Sequence, residues 1–184
     1  MHFEELIAKR KSTRTYSGEP VPEEMIERLL AAARQAPSSR NLHPVDYIVV
    51  RDHALLRQLS RVKTAGSGML KHADVGIVVL GDRERSDAWI EDCSIAMIYL
   101  QLMATELGIG NCWVQCRGRK SQQRKDEPIS AQEDQSPAET EAQVAARIAA
   151  VRDADDYLTS EEYARELLRF PENMALEAIL SLGM

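Results

Sequence analysis

The amino-acid sequence predicts an α+β fold with one central sheet flanked by helices, and three observations support this prediction. Short apolar runs typical of strands are interspersed with segments that have helical spacing of apolar residues. The order of these segments lacks the regular strand–helix–strand alternation of a parallel α/β sheet. One long segment, 87–107, is apolar nearly all round, as expected of a buried helix. We therefore expect a mixed or antiparallel sheet of about four to five strands.

Each element has its own signal. The runs 47–50 and 75–80 are almost continuously apolar, which is typical of buried strands. Two further strands are expected after the glycines at 108 and 110 and near the end of the sequence. Helices are indicated by apolar residues three and four positions apart. The helices are expected at 2–9, 22–36, 53–59, 87–107 and 159–168, and the strands at 47–50, 75–80, 112–115 and 175–182.

The segment 87–107 has little polar surface. One face carries Cys93, Ala96 and Leu100, while Ile95 and Ile98 occupy the opposite side. A helix without a polar face is buried in a large core or between subunits. For a chain of 184 residues, we expect burial between the two subunits of a homodimer.

Composition narrows the class of protein. A chain of 184 residues with 44% hydrophobic and 28% charged residues is typical of a single globular domain. The formal net charge of -6 argues against nucleic acid as the main partner. We expect no membrane span and no signal peptide. Three cysteines without a disulfide framework favour a reducing cytoplasm.

The segment 117–156 differs from the rest. A basic cluster is followed by an acidic stretch rich in Gln and Ser, and low hydrophobicity with blocks of charge predicts a flexible charged insertion, a lid or surface arm. Within it, the residues 136–139 have the form of a capping box, and Val144, Ile148 and Val151 form a thin apolar stripe. Two interpretations of the cluster stay open, contact with a phosphorylated substrate or a solvated loop. The cluster consists of Arg117, Arg119, Lys120, Arg124 and Lys125.

Two short polar motifs near the N-terminus are candidate binding residues. Arg10 and Arg14 flank Lys11 and Ser12, and two guanidinium groups with a hydroxyl between them suit the oxygens of a phosphate. Downstream, Pro37-Ser38-Ser39 and Asn41 follow a predicted helix. A turn at this point exposes backbone amides and carbonyls, which suit the edge of a flat polar ring in a ligand. The competing interpretation of both motifs is solvated surface.

Nothing in the sequence indicates a catalytic group of the protein's own. The two serines have no histidine partner, and there is no glycine-rich nucleotide loop. The four histidines lack metal-ligand spacing, and Cys112 and Cys116 have no second pair. This pattern favours a cofactor that carries its own redox chemistry.

Three further segments join the two N-terminal motifs at 10–14 and 37–41, namely 107–115 (Leu-Gly-Ile-Gly-Asn-Cys-Trp-Val-Gln), Phe170-Pro171-Glu172-Asn173 and 178–183. Through these five segments, the sequence resembles the nitroreductase family of FMN oxidoreductases. The resemblance covers about 1–118 and 157–184. It implies a nitroreductase-like fold and a homodimer with FMN at the subunit interface.

The resemblance also implies residue roles. Arg10, Lys11 and Ser12 would contact the FMN phosphate and ribityl groups. Arg14 would lie at the pyrimidine edge, where negative charge builds up on reduction. Pro37, Ser38, Ser39 and Asn41 would come from the partner subunit. Backbone amides of Val114, Gln115 and Cys116 would approach the reactive ring nitrogen, although Trp113 and Val114 are equally well explained as sheet core. The cofactor-binding set is Arg10, Lys11, Ser12, Arg14, Pro37, Ser38, Ser39, Asn41, Val114, Gln115 and Cys116.

The activity implied is ping-pong hydride transfer from NADH or NADPH, through FMN, to nitroaromatic, quinone or activated-alkene acceptors. The sequence departs from the family pattern at His43-Pro44-Val45, and it stops at Met184, where the family continues into a tail with further basic phosphate ligands. We therefore expect weakened FMN binding unless Arg117 or Arg119 compensates. Two alternatives stay open: a tail-less member or fragment that dimerises without catalysis, and another flavin reaction such as reductive dehalogenation or flavin fragmentation.

Overall fold

Four strands form one antiparallel sheet in the computed structural model, which describes residues 2–129 and 139–184. The strand order is β1-β2-β6-β3, and each neighbouring pair is antiparallel. The predicted α+β class with a central sheet is confirmed. The strands of this sheet are β1 (Val45–Val50), β2 (Val75–Asp82), β3 (Gly110–Gln115) and β6 (Met174–Gly183).

Helices cover both faces of this sheet. Along β2, Ile77 and Val79 pack with α2 and α4, whereas Val78 and Leu80 pack with α3 and α6. The side alternates because successive strand residues point to opposite faces. Burial on both faces explains why β2 and β6 read as continuous apolar runs. The helices are α1 (Phe3–Lys9), α2 (Glu23–Arg34), α3 (His53–Leu59), α4 (Trp89–Glu106), α5 (Glu141–Arg152) and α6 (Ser160–Leu168).

Helix α4 is the long apolar helix that the sequence predicts. Its inner face, which includes Cys93, Met97 and Leu100, is fully buried against the sheet. Its outer face leaves Ile98 38% and Tyr99 37% exposed. Within one protomer, this helix therefore presents apolar side chains to solvent.

The described residues of the segment 117–156, which are 117–129 and 139–156, include a packed strand that the sequence does not predict. Strand β4 (Lys120–Arg124), near the start of this segment, pairs with β5 (Tyr157–Thr159), which directly follows the segment, in a second, two-stranded sheet. Ser121 and Gln123 are buried, and their side chains donate to the carbonyls of Leu158 (2.9 Å) and Glu127 (3.0 Å). The prediction of a flexible arm at this point is wrong, because buried polar groups that find hydrogen-bond partners can pack without apolar residues.

Helix α5 lies inside the same segment. Thr140 caps it, with a reciprocal hydrogen bond between Thr140 and Gln143. The predicted capping box at 136–139 falls mostly outside the described residues. Of the predicted stripe, Val151 is buried but Ile148 is 42% exposed. That the whole chain is one domain with an insertion stays a prediction.

Among residues 2–129 and 139–184, no helix has the length and apolar character needed to cross a bilayer.

Gly183 is required by close packing at the open side of the sheet. It pairs with Gly110, and a Cβ added at 183 would lie 2.5 Å from Cγ of Tyr16. We expect Gly183→Ala to lower the free energy of unfolding by about 1–3 kcal/mol, measured by urea denaturation, because overpacking displaces the tyrosine. Gly68→Ala is the matched control, since an added Cβ there meets no atom within 4 Å. Equal stability of both variants would contradict this packing.

Candidate functional site

Residues 10–17, here called the N-terminal segment, lie along the open edge of the central sheet. The amide of Thr13 donates to the carbonyl of Asn111 on β3 (2.8 Å), and the amide of Ser17 donates to the carbonyl of Met184 (2.6 Å). Between them, the hydroxyl of Tyr16 lies 2.5 Å from that of Ser181. Burial raises the pKa of Tyr16 to about 12. The segment is therefore held by the backbone and by one neutral tyrosine, so its charged side chains are left available.

The charged side chains of this segment have no acidic partners. Arg10 is half-buried, and Lys11, Ser12 and Arg14 are exposed. Among the described residues, no carboxylate lies within ion-pair distance of the three cations. Three unpaired cations and a hydroxyl within five residues form a donor set that suits a phosphate or another compact anion. The chemistry of this set fits the phosphate-bearing cofactor implied by the sequence.

The end of strand β3 offers one outward backbone donor. The amide of Cys116 donates to the carbonyl of Glu177 on the neighbouring strand β6 (3.1 Å). In an antiparallel pair such contacts alternate, so Val114 also faces β6 while Gln115 faces the open edge. The sequence-based choice of all three amides is therefore corrected for Val114 and Cys116, whose amides are directed at β6. The Val114 side chain is plain sheet core, fully buried.

Glu177 is a functional candidate that the sequence reasoning missed. Its carboxylate is buried, with 2% of the residue exposed, and accepts hydrogen bonds from Gln115 Nε2 (3.0 Å) and Arg117 Nε (2.8 Å). A buried carboxylate must be paired in this way to offset its desolvation. It orients the side chains of Gln115 and Arg117 where β3 ends. The available signal was one acidic residue inside an otherwise apolar strand.

The thiol of Cys116 is not suited to nucleophilic chemistry. The residue is buried, and burial raises the pKa of its thiol to about 12. The reactive form of a cysteine is the thiolate, which is scarce near neutral pH at such a pKa. Cys93 and Cys112 are buried as well, and no disulfide joins the three. In the part of the chain that the structure describes, no cluster of His, Cys, Asp and Glu is suited to a metal ion.

Residues 37–43, here called the serine corner, are attached to the start of helix α4. The amide of Ser39 donates to Asp92 Oδ1 (2.8 Å), and the hydroxyl of Ser86 donates to Asp92 Oδ2 (3.3 Å). The hydroxyl of Ser38 accepts from the amide of His43 (2.9 Å). Asp92 is buried, and the sequence reasoning did not select it because it lies inside an apolar helix. It is the anchor of the corner.

The backbone of the serine corner is unusual. Arg40, Asn41 and His43 have φ values of 53°, 57° and 47°, in the left-handed region that non-glycine residues seldom adopt. Each such residue costs about 1–3 kcal/mol and persists only where the surroundings hold it. Here the hydrogen bond between the Ser39 amide and Asp92 fixes the backbone. Strain of this kind concentrates at binding sites, and a small cavity of about 220 Å³ lies between Ser38 and α4.

The structure does not bring the N-terminal segment and the serine corner together within one protomer. Ser39 is tied to Asp92 in the first turn of α4, while Thr13 is tied to Asn111, just after the helix ends. A helix of 18 residues is about 27 Å long. The two parts of the predicted set therefore lie at opposite ends of one helix.

Comparisons with known proteins agree with this architecture. Residues 7–66 match the model of the nitroreductase family. The solved structure of an FMN-dependent nitroreductase from Clostridium difficile R20291 is 35% identical, with a TM-score of 0.76, over 97% of this chain and 84% of that one.

Two curated relatives match shorter segments. A candidate NADH dehydrogenase/NAD(P)H nitroreductase of Archaeoglobus fulgidus is 42% identical over 113 residues, 59% of this chain and 64% of that protein. Iodotyrosine deiodinase of Nematostella vectensis is 32% identical over 93 residues, 50% of this chain and 31% of that protein. The chain thus spans less than two thirds of either curated relative. Because a solved structure is 35% identical over nearly the whole of this chain and most of its own, the chain belongs to the nitroreductase family.

Proposed function

We propose that the protein is an FMN-dependent oxidoreductase that passes hydride from NADH or NADPH to an organic acceptor. The observation that carries this proposal is the group of unpaired cations at residues 10–14, held along the open edge of β3. Membership of the nitroreductase family supports it, as does the likeness to an FMN-dependent enzyme. The name of the Archaeoglobus relative supports the nicotinamide donor.

The proposed binding residues contact different parts of the cofactor. Arg10, Lys11 and Ser12 hold the phosphate and the ribityl chain. Arg14 lies at the pyrimidine edge of the ring, and its fixed positive charge stabilises the negative charge that develops there. Because Arg14 has no acidic partner among the described residues, its charge is not neutralised before reduction.

The end of β3 is proposed to orient the ring. Gln115 has the outward-facing amide of the three candidates at this strand end, and that amide is the donor we assign to the reactive ring nitrogen. Glu177 fixes the Gln115 side chain, so the donor stands on a rigid strand rather than a loop. Bound FMN supplies the hydride chemistry itself, accepting two electrons from one substrate and passing them to another.

Donor and acceptor are proposed to use one flat slot in turn, in a ping-pong sequence. A nicotinamide ring and a planar nitroaromatic, quinone or activated alkene have similar thickness, so stacking admits either. The protein's part is to bind, orient and exclude water. With Cys116 protonated at neutral pH, no thiol competes for the acceptor.

We further propose a homodimer in which the partner's serine corner completes the flavin site. Within one protomer the corner and the N-terminal segment lie at opposite ends of α4. Two α4 helices packed antiparallel would bring one corner beside the other segment. Exposed apolar side chains on α1 and α4 supply the surface, namely Phe3 (67% exposed), Ile7 (53%), Ile98 (38%) and Tyr99 (37%). We place this dimer in the cytoplasm, in keeping with three free cysteines.

A second candidate is reductive dehalogenation on the same scaffold. The similarity to iodotyrosine deiodinase of Nematostella vectensis favours it. It requires the same flavin set and a different acceptor. Release of iodide from a halogenated phenol, without reduction of nitroaromatics, would favour this candidate over the first.

Arginine substitutions separate binding from redox tuning. We expect Arg10→Ala to weaken FMN binding roughly 10- to 100-fold, because a hydrogen bond between charged groups contributes about 1.5–3 kcal/mol. We expect Arg14→Ala to lower the flavin reduction potential by roughly 30–60 mV, since 30 mV corresponds to about 1.4 kcal/mol. FMN titration followed by fluorescence and dye-coupled potentiometry measure these effects. The control is Arg28→Ala, an exposed arginine on α2; negligible change in both test variants would contradict the assigned roles.

The dimer can be tested with one surface charge. We expect Ile98→Glu to convert the dimer to monomers and to abolish tight FMN binding, because a carboxylate cannot be buried unpaired in an apolar interface. Analytical ultracentrifugation with flavin absorbance gives both results. Ile148→Glu, at an isoleucine that is similarly exposed (42%) on α5, should leave the dimer mass unchanged. A monomeric parent protein that binds FMN tightly would overturn the proposal.

A further inference from the structure

A second cavity, of about 720 Å³, begins where β3 ends. Its walls come from the loop 63–65, the residues 116–120, helix α5 and the start of α6. Its volume lies in the range of sites for small organic molecules. Cys116 lines this cavity and directly follows Gln115, the proposed donor to the flavin ring, so the two sites adjoin.

The walls of this cavity are fixed by hydrogen bonds. The amide of Thr64 donates to the carbonyl of Lys120 (2.9 Å), and the amide of Ser160 donates to the carbonyl of Arg119 (2.9 Å). The guanidinium of Arg147 on α5 donates to the carbonyl of Thr64. Loop, strand and helix are thereby joined into one frame that exists before any ligand binds.

The charge that faces the cavity is positive. Of its two acidic residues, Glu161 pairs with Arg165 (2.9 Å) and Arg83. Glu162 accepts the amide of Thr159 (2.7 Å), and this hydrogen bond, together with the nearby charges of Lys125 and Lys120, lowers the pKa of its carboxyl group. Five cations line the same space. They are Lys63, Arg117, Arg119, Lys120 and Arg152.

Three of these cations form no ion pair with a carboxylate of the described residues. Arg117 pairs with Glu177 (2.8 Å) and Arg152 with Asp153 (3.3 Å). Over residues 2–129 and 139–184, no ion pair involves Lys63, Arg119 or Lys120. Burial lowers the pKa of Lys63, and the nearby Arg119 charge lowers it further. An anion in the cavity would relieve this repulsion.

One wall is apolar. Ile148 projects from α5 with 42% of its surface exposed, and Ala65 and the protonated Cys116 thiol line the cavity as well. An apolar wall opposite unpaired cations suits a flat molecule with an acidic group at one end. Inorganic phosphate alone would leave the apolar wall unused.

We infer that this cavity binds a small planar organic carboxylate, and that such acids are the preferred electron acceptors of the adjoining flavin site. The acceptor role rests on the proposed function, whereas the ligand class rests on the cations Lys63, Arg119 and Lys120 and on the apolar wall at Ile148. The carboxylate faces these cations, and the ring lies against Ile148 and toward Cys116.

The binding test uses 4-nitrobenzoate and its neutral analogue 4-nitrobenzyl alcohol, titrated calorimetrically into the flavin-loaded protein without nicotinamide. We expect the acid to bind at least tenfold more tightly than the alcohol. Arg119→Gln and Lys63→Gln should each weaken binding of the acid roughly tenfold. The charge-matched controls are Arg57→Gln and Lys71→Gln, exposed residues outside the cavity, which should bind the acid as the parent does.

The kinetic test compares kcat/KM for the two acceptors with NADH or NADPH as donor. The ratio of acid to alcohol should fall at least fivefold in Arg119→Gln and Lys63→Gln and stay constant in the controls. Tight binding of the acid without reduction of either acceptor would overturn the proposed function and support the ligand class. Equal binding of acid and alcohol, or equal effects of test and control substitutions, would overturn this inference while leaving the proposed function intact.

Discussion

The candidate site depends on one backbone interaction, the pairing of the N-terminal segment with the outer edge of strand β3. β3 hydrogen-bonds β6 on one side, and its carbonyl at Asn111 accepts the amide of Thr13 on the other. An unpaired edge otherwise invites aggregation. Here a short irregular segment covers part of it, and the same contact places Arg10 and Arg14 beside the strand without using their charges.

A second constraint follows from helix α4, which separates the two polar motifs. Asp92 anchors the serine corner at its start, and the N-terminal segment lies beyond its end. Under the proposed function, each protomer therefore contributes two separate half-sites. Apolar residues on the outer face of the same helix supply a reason for two protomers to associate, so we infer that association and assembly of the site are one event. The hydrogen bond from Ser39 to Asp92 holds the corner, including its strained residues Arg40, Asn41 and His43, in one conformation within a single protomer.

Much of the fold could be predicted from the sequence because its signals are periodic. The strands at 47–50 and 75–80 and the helix at 87–107 read directly as apolar patterns. Strand β4 could not be predicted in this way, since Ser121 and Gln123 are polar and yet buried; the hydroxyl of Ser121 donates to the carbonyl of Leu158, 37 residues away in the sequence. Tertiary partners of this kind leave no local trace.

The site shows the same division. The residues that bear exposed charge, such as Arg10 and Arg14, stand out in the sequence. The residues that hold the site in place, Asp92 and Glu177, are acidic residues within apolar elements, and their roles appear only when the partners are known. The left-handed conformations of the serine corner could not be predicted either, because they occur at Arg40, Asn41 and His43 and not at glycine.

A crystal structure of the protein grown with FMN tests the central claim most directly. The account predicts one flavin per protomer, with its phosphate against Arg10 and Ser12 and its ring between Gln115 and the partner subunit's serine corner. Flavin bound away from the N-terminal segment, or enclosed by one protomer alone, would contradict it.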